Sequence, residues 1–223
     1  MLWTLFVAVA LRPLAAEPFA IKKVSASVSV VHGPVNGVLI QRQGAVLAIY
    51  GDPRPDPGKV QQLLFTHHRR DVVWAGRRLA ERGAAVAAPE AEKALFSNVA
   101  DFWSRYRRDR FHDYQNQSSR VVADSIRVDR FVRDGDQVHW QGLTIRVLAT
   151  PGYTRGAVSY LLEVDGKRIA CVRDLIYGDG KILDLYSLQD AIPQLASKVT
   201  LNCCSLLHGT GKTYPLEPPQ ILW

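Results

Sequence analysis

The sequence predicts an α/β (α+β) fold in a single domain, and three observations predict it. Residues 37–50 (GVLIQRQGAVLAIY) are apolar-rich and alternate on either side of Gln43-Gly44, as a β-hairpin does. The apolar run at 63–65 reads as a buried strand and passes into a loop dense in imidazole and carboxylate, with a helical stretch beyond. Strands at 159–164 and 168–172 are joined by Asp165-Gly166, a tight-turn pair.

Taken in order, the chain opens on an apolar run at 2–11 that is too short to span a bilayer as a helix. Ala15 and Ala16 follow it, just before Glu17-Pro18, so residues 1–16 read as a secretory signal peptide. No Lys or Arg precedes the run, which keeps a buried N-terminal strand open as the alternative. The fold is therefore expected over 17–223, exported to the periplasm or outside if the signal is real and cytoplasmic otherwise. After the hairpin and the 63–65 strand comes a helix over 72–82, with Val73, Leu79 and Ala80 inward, arginines outward and Gly83 as its stop. A strand follows at 84–88, and Pro89 opens a short helix through Leu95. A third strand of the second half is expected at 144–149. Ser187 and Asp190 form a capping box for a helix toward Ser197, which Pro193 would bend or shorten. Residues 199–207 close the fold and present His208. Beyond them lies only a short Pro-rich tail, 215–223, where a final helix would be expected, so a domain truncated at its C-terminus stays open.

Composition agrees with one sizeable core: 223 residues, 47% of them apolar, with no internal repeat and no low-complexity linker. Three cysteines are an odd count and no disulfide framework; buried thiols are expected at Cys171, Cys203 and Cys204. The net charge of +7 favours anionic small molecules or partners in general terms. Residues 101–114 interleave aromatics with arginines, a pattern that can bind nucleic acid. Asp101, Asp109 and Asp113 dilute that charge, and a lid or a wall of a substrate pocket is the better reading; His112 either contributes to that pocket or, as a lone histidine usually is, is structural.

Chemistry concentrates in Thr66-His67-His68-Arg69-Arg70-Asp71 at the C-terminal end of the 63–65 strand, where α/β sheets commonly bind ligands. Imidazole and carboxylate at this density suit zinc or another borderline divalent ion, although a solvated polar loop would look the same. The segment resembles the metal loop of the metallo-β-lactamase superfamily, Thr-His-x-His-x-Asp-His, with Thr66, His67 and Asp71 in register. Residues 149–156 (ATPGYTRG) are similar to the family's Thr-Pro-Gly-His-Thr-x-Gly turn, 168–174 (RIACVRD) to the strand ending in its bridging aspartate, and 206–209 (LLHG) to its last histidine-glycine turn. Residues 37–52 resemble its opening hairpin. These five segments run in family order over most of the chain, and the resemblance implies a four-layer αβ/βα sandwich.

The departures bear on function. Arg69 stands where the family has the second loop histidine, Val72 where it has the last one, Tyr153 where it has the histidine of the turn, and Ile49 where it has the hairpin aspartate. The resemblance implies two metal positions. Of the first position's three histidines only His67 remains; of the second position's ligands, Asp71, Asp174 and His208 remain. The expectation is a hydrolase holding one divalent ion, zinc or else manganese or iron, through Asp71, Asp174 and His208 with His67 as a weak fourth ligand. In that reading Asp71 orients a water and Tyr153 donates to a developing oxyanion, in the cleavage of an ester, amide or phosphoester of a small molecule. His68 matches the variable position of the motif and is expected to face solvent or a carboxylate behind the ligands. Arg69 either pairs with Asp71 and Asp174 in place of a metal or points outward. The alternative function is a metal-free binding or regulatory module.

Overall fold

A computed structural model describes residues 20–32, 36–50, 57–101, 124–151, 154–172, 204–207 and 213–215. Its frame is two sheets. The first contains β1 (Ala20–Lys23), β2 (Val28–His32), β3 (Gly37–Arg42), β4 (Ala45–Ile49), β5 (Val60–Leu64), β6 (Ala85–Pro89) and β7 (Arg130–Val132), in that spatial order. The strands from β1 to β4 pair antiparallel and those from β4 to β7 parallel. The second sheet has the order β13-β12-β11-β10-β9-β8, from β8 (Gln137–Trp140), β9 (Leu143–Ala149), β10 (Val158–Val164), β11 (Lys167–Cys171), β12 (Cys204–Leu207) and β13 (Thr213–Pro215). Only β11 and β12 pair parallel within it.

The hairpin forms as its pattern predicts, with Gln43 at φ 50° and Gly44 at φ 74°, the left-handed pair that a two-residue hairpin turn requires. Helix α1 (Arg70–Glu81) packs against β5. Val73 and Leu79 are buried and Ala80 is half-buried against the core. A Cβ at Gly76 would overlap the Phe65 ring, so glycine lets the helix sit this close to the strand. The helix starts at Arg70, two residues before the expected start, which moves Asp71 off the loop and into its first turn. Pro89 ends β6 and precedes a 3-10 turn (Glu90–Glu92), followed by the short helix α2 (Lys93–Ser97). Strands β1, β2, β7, β8 and β13 were not anticipated. They are three to five residues long, and the alternation in so few residues is a weak signal.

Apolar side chains from both sheets, among them Leu47, Leu63, Phe65, Ile145, Tyr160 and Ile169, form one core cluster. Cys171 lies in it with its thiol pushed up to about 12 by burial, an inert core thiol as expected. No helix among the described residues is long and apolar enough to cross a membrane. The expected signal peptide, the 187–197 helix, Cys203 and nearly all of the aromatic-arginine stretch lie outside the described residues.

Candidate active site

The strand pairings bring the ends of β4, β5 and β6 together. Leu64, at the end of β5, pairs with Ile49 at the end of β4 and with Ala87 near the end of β6. The loop after β5 then reaches the other sheet, where Val158 N–H donates to the Thr66 carbonyl at 2.9 Å. Two residues on, Tyr160 pairs with Cys171, and Cys171 pairs in parallel with Leu207. Asp174 lies three positions beyond Cys171 in the sequence and His208 one beyond Leu207; both lie outside the described residues. So does Tyr153, and so does the side chain of Asp71.

Within the loop, Thr66, His67 and His68 are buried at 1%, 0% and 8% exposure. Polar side chains so deep must be satisfied by specific contacts. The Thr66 hydroxyl donates to the Tyr50 hydroxyl at 3.3 Å. The Tyr50 ring lies parallel to the His67 imidazole, 6° between planes and 6.4 Å between centroids. Tyr50 itself sits at φ 24°, a backbone region that side chains other than glycine seldom adopt and that is often found at functional loops. Below the loop, the Tyr160 hydroxyl donates to the Phe65 carbonyl at 2.7 Å. Burial, with Tyr50 and Cys171 nearby, pushes that phenol well above its ordinary value, so it stays a donor.

His68 faces a carboxylate, one of the two orientations the sequence favoured over a ligand role. Its backbone N–H donates to Glu92 Oε2 at 2.6 Å, and its Nδ1 meets the same oxygen at 2.8 Å. Glu92 Oε1 accepts from the Thr154 hydroxyl and, at 3.1 Å, from the Gly156 N–H. Burial acts to push the Glu92 carboxyl up, but the hydrogen bond from His68, the charges of the His68 and His67 rings and the Thr154 hydroxyl outweigh it. The group is held below the usual carboxylate range. Sequence reasoning missed Glu92 because it lies 24 residues from His68 inside a stretch that reads as a short helix. Its local sequence, Glu90-Ala91-Glu92-Lys93, looks like any charged helix start and carries no sign of burial.

Arg69 is half-buried and caps α1, its carbonyl accepting from Val73 N–H at 2.9 Å. A guanidinium has no lone pair to offer a cation. By register with the family's motifs, Arg69 and Tyr153 stand where two of the first position's three histidines would be, a set that would not fit a metal. At the second position, two carboxylates and an imidazole are a donor set that suits a borderline divalent ion. Among the described residues no three His, Cys, Asp or Glu side chains gather as a metal site.

This two-sheet architecture is the metallo-β-lactamase fold. Solved structures with the same fold include a metallo-β-lactamase with a HARLDQ motif from Cronobacter sakazakii, with a TM-score of 0.62 at 17% identity over 87% of this chain and 79% of that one. The β-lactamase from Chitinophaga pinensis superposes with a TM-score of 0.64 at 18% identity, over 94% and 83%. No family model matches the chain. Curated relatives bear out the superfamily read from the motifs. A hydroxyacylglutathione hydrolase of Mesorhizobium japonicum is 27% identical over 149 residues, which is 63% of this chain. One from Brucella ovis is 28% identical over 101 residues, or 45% of this chain. The matches span 46% and 28% of those proteins, so the chain aligns with half or less of the length of each.

Proposed function

We propose that the chain is a metallo-β-lactamase-fold hydrolase of small molecules with a reduced site that takes one divalent ion. The observation that supports it most is the pairing of Cys171 with Leu207 beside the Val158–Thr66 bond. Asp174 and His208 follow these two strands, β11 and β12, in the sequence by three residues and by one, which supports counting them with the buried His67. Asp71, Asp174 and His208 would hold the ion, zinc by donor type with manganese or iron(II) as alternatives, and His67 would be a weak fourth ligand. When bound, such an ion acts as a Lewis acid and lowers the pKa of water near it. The chain's own residues do the rest. Asp71, in the first turn of α1, orients the attacking water, and Tyr153 donates to the oxygen that becomes negative in an ester, amide or phosphoester. The net charge of +7 favours an anionic substrate. If residues 1–16 act as a signal, this chemistry takes place outside the cytoplasm.

Arg69 supports a second reading, because a cation at a lost ligand position suits a protein that keeps the fold and binds ligands without metal. A substrate panel separates the two. The full chain, stripped and then reloaded with zinc, manganese or iron(II), is assayed against a hydroxyacylglutathione, β-lactams, and simple esters and phosphoesters. The hydrolase reading expects metal-dependent turnover of at least one class, lost in Asp174→Ala. Turnover that is absent for every class, or that is unchanged by stripping, overturns it.

A further inference from the structure

Glu92 is a fully buried carboxylate to which the expected chemistry assigns no task. Donors from two segments far apart in sequence converge on it. The His68 N–H and the His68 ring reach Oε2, and the Thr154 hydroxyl and the Gly156 N–H reach Oε1. Only an ionised carboxylate accepts from all four, and it fixes the proton of His68 on Nδ1. A glutamine would offer one oxygen and would set an NH2 group against two of the donors. The packing is as specific as the hydrogen bonding. A Cβ at Gly156 would overlap Glu92 Cγ and come within 2.9 Å of Ala91 Cβ, so only glycine admits the carboxylate.

The His68 N–H belongs to the peptide that follows His67, so the bond to Glu92 fixes the direction in which the His67 backbone leaves the loop. The His67 imidazole in turn lies parallel to the Tyr50 ring, 6.4 Å away between centroids. We propose that Glu92 is a positioning residue of the site, stapling the 66–69 loop of one half to the 154–156 turn of the other and setting the His67 ring without any metal. What the site is for rests on the hydrolase reading; the staple does not.

The test uses the full chain, stripped of metal and labelled with 15N-histidine. Long-range imidazole correlations are recorded alongside a backbone amide spectrum. In the wild type, His68 is expected to carry its proton on Nδ1, with that proton at low field. In Glu92→Gln the low-field signal is lost and the His67 ring resonances move, while the amides of β9 and β10 stay in place. Thr154→Val keeps the carboxylate and removes one donor, so it serves if Glu92→Gln does not fold; a smaller His67 shift in the same direction is expected. His67 ring resonances that stay where they are in a folded variant, with the His68 signal lost or Thr154 replaced, reduce Glu92 to a packing role and overturn the proposal. A chain that binds no metal would defeat the hydrolase reading and leave this result standing.

Discussion

The two halves of the molecule are tied together at both ends of β10, and the two ties are built differently. At the Val158 end, the Glu92 carboxylate is 2% exposed and meets His68 twice, the Thr154 hydroxyl and the Gly156 N–H. At the Val164 end, Asp165 sits on the surface in the β10–β11 turn, accepting from the Ser27 N–H at 2.6 Å and the Ser27 hydroxyl at 2.9 Å; the nearby Lys167 ammonium donates to the Val24 carbonyl at 3.3 Å. Both ties use a carboxylate and a serine or threonine hydroxyl. Burial separates them. A hydrogen bond withdrawn from water leaves its partners unsatisfied when broken, whereas a surface one is replaced by water. The buried tie can therefore hold atoms in place for chemistry, and the exposed tie serves only to close the sandwich.

The comparison can be broken at four positions. Glu92→Ala strands the Thr154 hydroxyl, the Gly156 N–H and the His68 donors in the interior, and should cost about 3 kcal/mol or more in denaturant unfolding. Gly156→Ala pushes a methyl into Glu92 Cγ and should cost about 2 kcal/mol by overpacking, with the same loss of the low-field His68 proton. Tyr160→Phe leaves the Phe65 carbonyl without its donor across the halves and should cost about 1 kcal/mol, read as a lower Tm. Asp165→Asn should have the smallest effect, and a pH dependence identifies it. The nearby Ser25 hydroxyl and the hydrogen bond from the Ser27 N–H hold this carboxyl below its ordinary 3.8, with the Ser27 hydroxyl and Arg42 assisting. A carboxyl lowered in the folded state adds stability that is fully present above the unfolded value and is lost as the pH falls through the folded one. Wild type and Asp165→Asn should therefore differ slightly at pH 7 and converge in acid below pH 3.8; a gap that widens in acid would contradict the assignment.

Much of the fold was legible in the sequence because long elements announce themselves. The Gln43-Gly44 hairpin, the helix after the loop and the strands around Asp165-Gly166 carry strong periodicity or turn chemistry. Boundaries were less legible: α1 begins at Arg70 because helix starts depend on capping contacts, and Arg69 is an unusual cap with no side-chain bond to the helix. Of the residues that register with the family's motifs proposes, His67, Asp71, Asp174 and His208, the structure describes the side chain of His67 alone. Glu92, Tyr50 and Gly156 leave no local pattern. Their roles arise from contacts between residues far apart in the chain, and Glu92, between Glu90 and Lys93, looks like an exposed helix position until the fold buries it.

The proposed single metal centre would draw on Asp71, in the first turn of α1, and on Asp174 and His208, which follow β11 and β12 in the sequence. Metal binding by the stripped full chain tests it most directly, with zinc, manganese and iron(II) titrated into the wild type, Asp174→Ala and His208→Ala. The account predicts close to one ion bound per wild-type chain, with both substitutions abolishing binding. A wild type that takes up none of the three, or variants that bind as well as it does, would contradict the account.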